Sequence, residues 1–386
     1  VPRRLKLPRV LLLIETSRSY GRGLVEGIGR YVSMHGPWSI EFQERGLADP
    51  LTPWLKRWRG DGIISRTVRR ADVDRLLTMG TPTVELFADP DLGLPRVYPD
   101  NQAAGRLAAE HFRERGIRHV AFFALERVWW VQARYEAFCT AAGQHGVPCD
   151  VFLPARHRRI RPDAPQIARW VQALPKPCGL FCACDGFALP IFTACRTLGI
   201  AIPEQLAVLG VDNDSVLCAV TQPPLSSVNL GAERIGYEAA ALLDRLMAGR
   251  RPEPHGLVIE PEGIVARQST DILLLTDPDV AQAVRIIREH ACRGLRVSQV
   301  TQAVGLSRRA LEQRFRRALG RTPKQEITRL QLERAQQLLR ETTLRIEQIA
   351  KLCGFTSFKY FPRAFRRETG QTPRAYRQAH FTTPAR

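Results

Sequence analysis

Arg308, Arg309, Glu312, Gln313 and Arg316 fall on one side of a helical wheel, opposite Leu311 and Phe315. A guanidinium can fork onto O6 and N7 of guanine, a carboxamide can pair with adenine, and an apolar side chain can rest on a thymine methyl. Fifty residues later Phe358, Lys359, Pro362, Arg363 and Arg366 take the same side, opposite Phe361 and Phe365. Arg316, Arg317, Arg321, Lys351, Arg366, Arg367 and Arg377 suit backbone phosphates, which add affinity without reading sequence. A single polar helix face is usually just solvated. Two such faces in one basic stretch point to double-stranded DNA as a partner.

A second set of residues follows apolar runs: Glu15 after "RVLLLI", Asp185 after "GLFCAC" and Asp212 after "AVLGV". Carboxylates at strand ends can accept several O–H donors at once, which suits a polyhydroxylated ligand. Acids in such places also serve as helix N-caps, so the pattern alone leaves both roles open. Arg134 in "ARYEAF" either bridges a ligand oxygen or pairs with an acid such as Glu136.

Signatures of catalysis are missing. No GxxxxGK[ST] loop, no GxGxxG after the first strand, no GxSxG elbow and no HExxH occurs. Asp185 and Asp212 could form a paired-carboxylate site, so an enzyme acting on a sugar or nucleotide, with an appended DNA-binding tail, stays open as an alternative. Nine cysteines are scattered without a framework, and "CGLFCACDG" reads as a buried strand with small thiols. Neither metal nor cofactor is expected, and a reduced cytoplasmic protein is. The apolar run in "VPRRLKLPRVLLLIETS" ends after five residues, so neither a leader nor a membrane span is expected.

The elements that must position these groups differ between the two parts of the chain. From Pro278 to Arg386 there are 23 basic and 8 acidic residues, whereas the preceding part is nearly balanced. In the basic part, "VSQVTQAVGLSRRALEQRFRRALG" and "RIEQIAKLCGFTSFKYFPRAFRRETG" each spell a short helix, a glycine turn, a capping serine and a second helix. That is a helix-turn-helix, spanning about 297–317 in the first copy and about 346–367 in the second. The helix containing "LQLERAQQLLR" joins them and sets their separation, so that they touch successive major grooves about 34 Å apart. The earlier part alternates strands such as "DGIIS", "TPTVELF", "HVAFFA" and "LAVLGVD" with helices such as "NQAAGRLAAEHFRERG", which predicts an α/β fold with parallel sheets and flanking helices.

Two family resemblances rest on these stretches. "AQQLLRETTLRIEQIAKLCGFTSFKYFPRAFRRETGQTPRAYR" resembles the signature of the AraC/XylS regulators, over about residues 279–378. The likeness implies base readers at Arg309, Glu312 and Gln313, and then at Lys359 and Arg363. Pro362 departs from the family pattern; inside a helix it removes a hydrogen bond, so the second recognition helix is expected to kink or start late. "CDGFALPIFTACRTLGIAIPEQLAVLGVDNDSVLCAVTQPPLSSVNLGAERIGYEAAALLDRLMAG" resembles the ligand domain of the LacI/GalR regulators, itself similar to periplasmic sugar-binding proteins, over about residues 8–270.

This second likeness implies two lobes clasping a ligand, with Arg134, Asp185 and Asp212 in the cleft and Glu15, Tyr20 and Arg22 as further contacts. It implies chain crossovers near 125, 229 and 254. One lobe would comprise about 8–124 and 229–254, the other about 125–228 and 255–270, with a linker at 271–278. Only seven or eight residues precede the first predicted strand, too few for the usual N-terminal DNA head, so the reader is expected at the other end. The combination resembles the xylose-operon regulators. It implies a homodimeric, sugar-responsive activator with D-xylose as the favoured effector, another sugar open, and RNA polymerase as a further partner.

Overall fold

The structure is a computed structural model. It describes residues 7–380 except 44, 45, 47, 48, 52, 68, 88–92, 155–163, 251–255, 273–276, 356 and 359. The chain divides into two compact units, Val1–Ile272 and Leu273–Arg386.

The first unit opens with β1 (Arg9–Leu13), α1 (Ser19–His35), β2 (Ser39–Phe42), β3 (Gly62–Ser65), α2 (Arg70–Met79), β4 (Thr83–Glu85) and β5 (Val97–Pro99). These form one lobe around a parallel sheet of order β2-β1-β3-β4. The chain then builds a second lobe from α3 (Asn101–Glu114), β6 (Val120–Phe123), α4 (Trp129–Gln144), β7 (Cys149–Phe152), α5 (Ala164–Ala173), β8 (Cys178–Cys182), α6 (Asp185–Leu198), β9 (Leu206–Val211), α7 (Ser215–Val220) and β10 (Ser226–Asn229). It returns to the first lobe with α8 (Ala232–Met247) and β11 (Leu257–Ile259), which pairs with β5, and ends on β12 (Gly263–Val265) in the second. The second sheet has the order β12-β10-β9-β8-β6-β7, and only β12 runs antiparallel. β1, β3, β8 and β9 are almost wholly buried. Unbroken apolar runs of this kind belong to parallel strands covered on both faces.

Of the crossovers expected near 125, 229 and 254, the one near 229 is found between β10 and α8, and the other two differ. The first lies between β5 and α3, near residue 100, and the last between β11 and β12, near 261. Close packing places α3 in the second lobe. A Cβ on Gly179 of β8 would stand 2.6 Å from the Phe112 ring, and one on Gly105 would stand 2.5 Å from the Arg134 carbonyl. In the first lobe α1 and α8 cross at contact distance, because a Cβ on Gly236 would strike the Leu24 carbonyl at 2.0 Å.

Cys178, Cys182, Cys184, Cys195 and Cys218 are free and buried as small core groups. Cys139 and Cys149 are joined as a disulfide across α4 and β7, with Cα atoms 5.7 Å apart. Among the described residues no helix is long and apolar enough to cross a membrane.

The second unit is helical: α9 (Pro278–His290), α10 (Val297–Val304), α11 (Arg308–Leu319), α12 (Pro323–Glu341), α13 (Ile346–Leu352), α14 (Tyr360–Thr369) and α15 (Pro373–His380). It has two small cores. Val284, Ile287, Val300, Leu311 and Phe315 build one, and Ile349, Phe361, Phe365 and Tyr376 build the other. α12 belongs to both: Ile327 and Leu330 enter the first core, Leu332, Ala335 and Leu339 the second. At the change of side, buried Gln331 donates its amide to the Ala291 carbonyl (2.9 Å) and to the Gly354 carbonyl (3.2 Å). Gly354 has φ +80, and a Cβ there would meet backbone atoms of Cys292 and Gly294 at 2.8 Å.

Two predictions follow from buried polar groups. Gln331→Leu strands two carbonyls, which costs about 1–3 kcal/mol. Hydrogen exchange in residues 291–294 and 354–361 of the full chain is then expected to quicken by tenfold or more, whereas unchanged exchange would mean that apolar contacts alone hold the two cores together.

The second prediction concerns pH. Burial, then Arg115, lowers the His111 pKa from 6.5 to about 3, and its ring lies 2.9 Å from the Thr270 hydroxyl. Burial raises the Glu85 carboxyl from 4.5 to about 7, against four hydrogen bonds donated by Ser65, Thr67 and Phe87. Below the unfolded value of 6.5 only the unfolded chain takes up the histidine proton, so stability drops as pH falls, by about 1.4 kcal/mol per unit. Glu85 acts oppositely: its contribution is full below 4.5 and is lost as pH rises to about 7. The two slopes offset one another between. His111→Gln is therefore expected to lose stability as pH rises from 5 to 7, and Glu85→Gln as it falls. Parallel urea-midpoint profiles for the two variants would refute this assignment.

Candidate functional site

A cavity of about 470 Å³, counting space open to solvent, lies between the lobes of the first unit. Arg18, Tyr20, Arg66, Leu86 and Phe87 line it from the first lobe; Trp130, Arg134 and Asp212 line it from the second; Pro99, Asn101 and Leu230 stand at the crossovers. Nearly all follow the carboxyl ends of strands or open the next helix, where an α/β sheet leaves its crevice.

Arg134 is the anchor of the second-lobe wall. It is buried on α4, donates Nε–H to the Asn101 side chain (2.9 Å) and Nη1–H to the Ala183 carbonyl (2.5 Å), and its guanidinium lies 4.6 Å from the Trp130 ring centre. Burial lowers its pKa, and Asp212 is the main group opposing that. Asp212 sits at φ 101 and Asn213 at φ 50, in the left-handed region that non-glycine residues seldom occupy. The turn is held by three bonds: Asp212 N–H to the Val228 carbonyl (3.0 Å), Asn213 N–H to the Ser227 hydroxyl (2.9 Å), and Arg267 to the Asn213 side chain (2.7 Å). Burial raises the Asp212 carboxyl pKa, against Arg134, Arg66 and Arg18.

The first-lobe wall is less complete. Arg66 pairs with buried Glu15 and lies over the Tyr20 ring, 4.9 Å from its centre. The Tyr20 hydroxyl and one Glu15 oxygen are buried with no hydrogen-bond partner among the described residues. Burial raises the Tyr20 phenol pKa.

Arg134, Asp212 and Tyr20 thus come together at one cavity. Glu15 stands behind it and acts through Arg66. Asp185 does not line it: its carboxylate accepts from Ser227 Oγ (2.7 Å), Asp214 N–H (2.7 Å) and Cys218 Sγ (3.6 Å), so its acceptor capacity is used inside the second lobe. Arg22 is also outside; it is exposed and donates to the Thr16 carbonyl (2.8 Å). Sequence reasoning missed Arg18, Arg66, Asn101, Trp130 and Phe87. Arg66 was findable, since it directly follows the strand "GIIS" just as Glu15 follows the first strand.

In the second unit α10 and α11 form one helix-turn-helix. Gly305 turns at φ +67, and the Ser307 hydroxyl accepts from Ala310 N–H (3.2 Å) to cap α11. Leu311 and Phe315 are buried beneath it. Arg309, Gln313, Arg316 and Arg317 are exposed on its outer side, and Arg308 pairs with Glu312 at 2.9 Å.

In the other helix-turn-helix α14 starts late, at Tyr360. Pro362 therefore falls in its first turn, where a missing N–H breaks no helical bond. Arg363, Arg366 and Arg367 on α14 and Lys351 on α13 are exposed, while Phe358 stands in the turn before the helix. Lys359 lies outside the described residues.

Two expected phosphate contacts differ. Arg321 pairs with buried Glu326 (2.5 Å), which Arg329 also holds (2.7 Å). Burial disfavours the Glu326 carboxylate, yet these two arginines keep its pKa below the usual value. Arg377 is half-buried and donates to the Leu344 carbonyl (2.6 Å), tying α15 to the loop before α13.

Residues 109–270 match the model of the periplasmic binding protein-like domain, and residues 300–379 match that of a helix-turn-helix domain. The xylose operon regulatory protein of Escherichia coli K12 is 34% identical across 97% of this chain and 98% of its own length. The Haemophilus influenzae protein of that name is 31% identical across 96% and 98%. The solved structure of the xylose-binding transcription activator xylR covers 98% of this chain and 100% of its own, at 32% identity and a TM-score of 0.80. The regulator CelR in complex with cellobiose shares the fold of the first unit, at 23% identity, 70% and 86% coverage and a TM-score of 0.54. These relatives are regulators, so the enzyme alternative falls away. The chain belongs to the family of the xylose operon regulatory proteins, DNA-binding transcriptional regulators that carry a periplasmic-binding-like domain and an AraC-type helix-turn-helix domain.

Proposed function

We propose that this regulator is a cytoplasmic, homodimeric activator of pentose-catabolism genes that senses D-xylose in the cleft between its lobes. The observation carrying the reading is the convergence of Arg134, Asp212 and the unpartnered Tyr20 hydroxyl on one cavity. Fixed donors and a carboxylate acceptor suit the ring of hydroxyls on a neutral sugar, and the Trp130 and Phe87 walls suit its C–H faces. The names of the Escherichia coli and Haemophilus influenzae relatives support xylose as the sugar.

Arg309, Gln313 and Arg363 read base edges, with the Arg308–Glu312 pair beside them. Arg316, Arg317, Lys351, Arg366 and Arg367 hold phosphates. Sugar draws the lobes together, closure alters how two copies pair, and the pairing sets which arrangement of DNA-reading tails is populated. RNA polymerase is the partner that an activator bound beside a promoter engages.

Titration calorimetry tests the ligand. D-xylose is expected to bind saturably, and Asp212→Asn to weaken it about 10- to 150-fold, the worth of a hydrogen bond to a charged group. Heat only with L-arabinose, D-ribose or D-glucose would replace xylose as the effector. No heat with any of them, from protein that still binds DNA, would sink the sugar-sensing reading.

A further inference from the structure

The two helix-turn-helix units superpose in sequence at an offset of fifty residues: Leu311 on Phe361, Phe315 on Phe365, Arg316 on Arg366. The inward residues keep their character, and all four of those core positions are buried. Three positions on the outer side do not. Arg308 becomes Phe358, Ala310 becomes Tyr360 and Glu312 becomes Pro362. The first unit thus presents a guanidinium and a methyl where the second presents two rings.

The structure keeps those rings outside. Phe358 is 46% exposed and Tyr360 41%, and Leu352 at the end of α13 is 56% exposed. Tyr360 does not hang free: its ring stands 6.3 Å from that of Phe355, which packs at 4.9 Å on the buried Phe361 ring. The late start of α14 sets Phe358 and Tyr360 at its leading end, and the leading residues of a recognition helix are those that meet base edges. Exposed apolar groups gathered in one place mark a contact surface. Exposed Lys351, Arg363 and Arg366 flank this one, so a polyanion is its charge complement, and the surface is continuous with the DNA-reading face.

We propose that the second unit, beside the base contact of Arg363, reads thymine 5-methyl groups in the major groove, by apolar contact through Phe358 and Tyr360, while the first unit reads base edges by hydrogen bonding alone. The thymine methyl is the apolar feature the major groove offers, and rings meet it without needing a donor or acceptor. This rests on the DNA-binding assignment and adds a division of chemistry between the two units. It implies an operator with one block rich in T·A pairs and one defined by guanine and adenine contacts, about one helical turn apart.

The test uses full-length protein and a library of random 35-base-pair duplexes. Selected sequences should contain two blocks, and the block whose preference survives Arg309→Ala belongs to the second unit. Thymines in that block are then replaced singly by deoxyuridine, which removes only the methyl. Each contacted methyl is expected to cost about 4-fold in Kd, the worth of one buried carbon. Phe358→Ala or Tyr360→Ala should abolish that sensitivity while leaving the other block's preference intact. A block indifferent to deoxyuridine would overturn the proposal and leave DNA binding standing. So would sensitivity unchanged in both variants, or variants that weaken only the capture of RNA polymerase, which would make the rings a protein contact. A library with no enriched sequence would bring down sequence-specific reading itself, and this inference with it.

Discussion

One buried carboxamide fixes the geometry of the DNA-reading unit. Gln331 lies at the point where α12 passes from one small core to the other, and its two N–H groups close on carbonyls from either side, Ala291 and Gly354. A glutamine amide buried with its donors unused would cost more than the helix gains by burying it, so the two cores cannot separate without exposing or stranding it. Gly354 enforces the same closeness from the other side, since no side chain fits between it and residues 292–294. The nineteen residues of α12 span about 28 Å. The two recognition helices therefore form one rigid reader. A signal cannot act by stretching the gap between them; it has to act on the reader as a whole, or on how two readers are paired.

In the ligand unit a buried charge has the corresponding part. Arg134 is held by Asn101 at the first crossover and by the Ala183 carbonyl at the end of β8, and a planar fork held at two points has few ways to turn. Asp185 and Asp212 show how little residue type decides alone. Both follow buried strands. Asp185 accepts three bonds from its own lobe, all of them from the neighbouring 212–227 stretch, and so braces the turn that holds Asp212 at φ 101. One aspartate is the brace and the other is the group presented to the cavity.

The elements were legible in the sequence because burial and period coincide there. β8 and β9 read as continuous apolar runs, and the glycine turn, capping Ser307 and Leu311–Phe315 pair spell the first helix-turn-helix outright. Pro362 was legible as a disturbance, and its resolution is local: the helix simply starts at Tyr360. The first and last crossovers were not legible. The helix "NQAAGRLAAEHFRERG" shows an apolar face but not which sheet it covers; that depends on Gly105 and Gly179, far apart in sequence, leaving room for Arg134's backbone and for Phe112. For the same reason the sign of an arginine was readable and its availability was not. Arg321 and Arg377 look like phosphate ligands until Glu326 and the Leu344 carbonyl are found occupying them.

The two walls of the cavity differ in readiness, and that difference bears on how a ligand could drive closure. On the second lobe Arg134 and the Asp212 turn are already fixed by protein hydrogen bonds. Little ordering remains to be done there, which favours first contact at that wall. On the first lobe the Tyr20 hydroxyl and a Glu15 oxygen are buried without partners among the described residues. Each such group destabilises by about 1–3 kcal/mol until something donates to it or accepts from it. A sugar seated on Arg134 and Asp212 would carry hydroxyls able to reach Tyr20 at the first-lobe wall, and satisfying its hydroxyl would favour the closed arrangement over the open one. A ligand lacking those hydroxyls could still rest on the second lobe, but it would leave the first lobe's deficit in place. Occupancy and closure would then separate, and only a ligand that completes both walls would shift the population that the DNA-reading unit responds to.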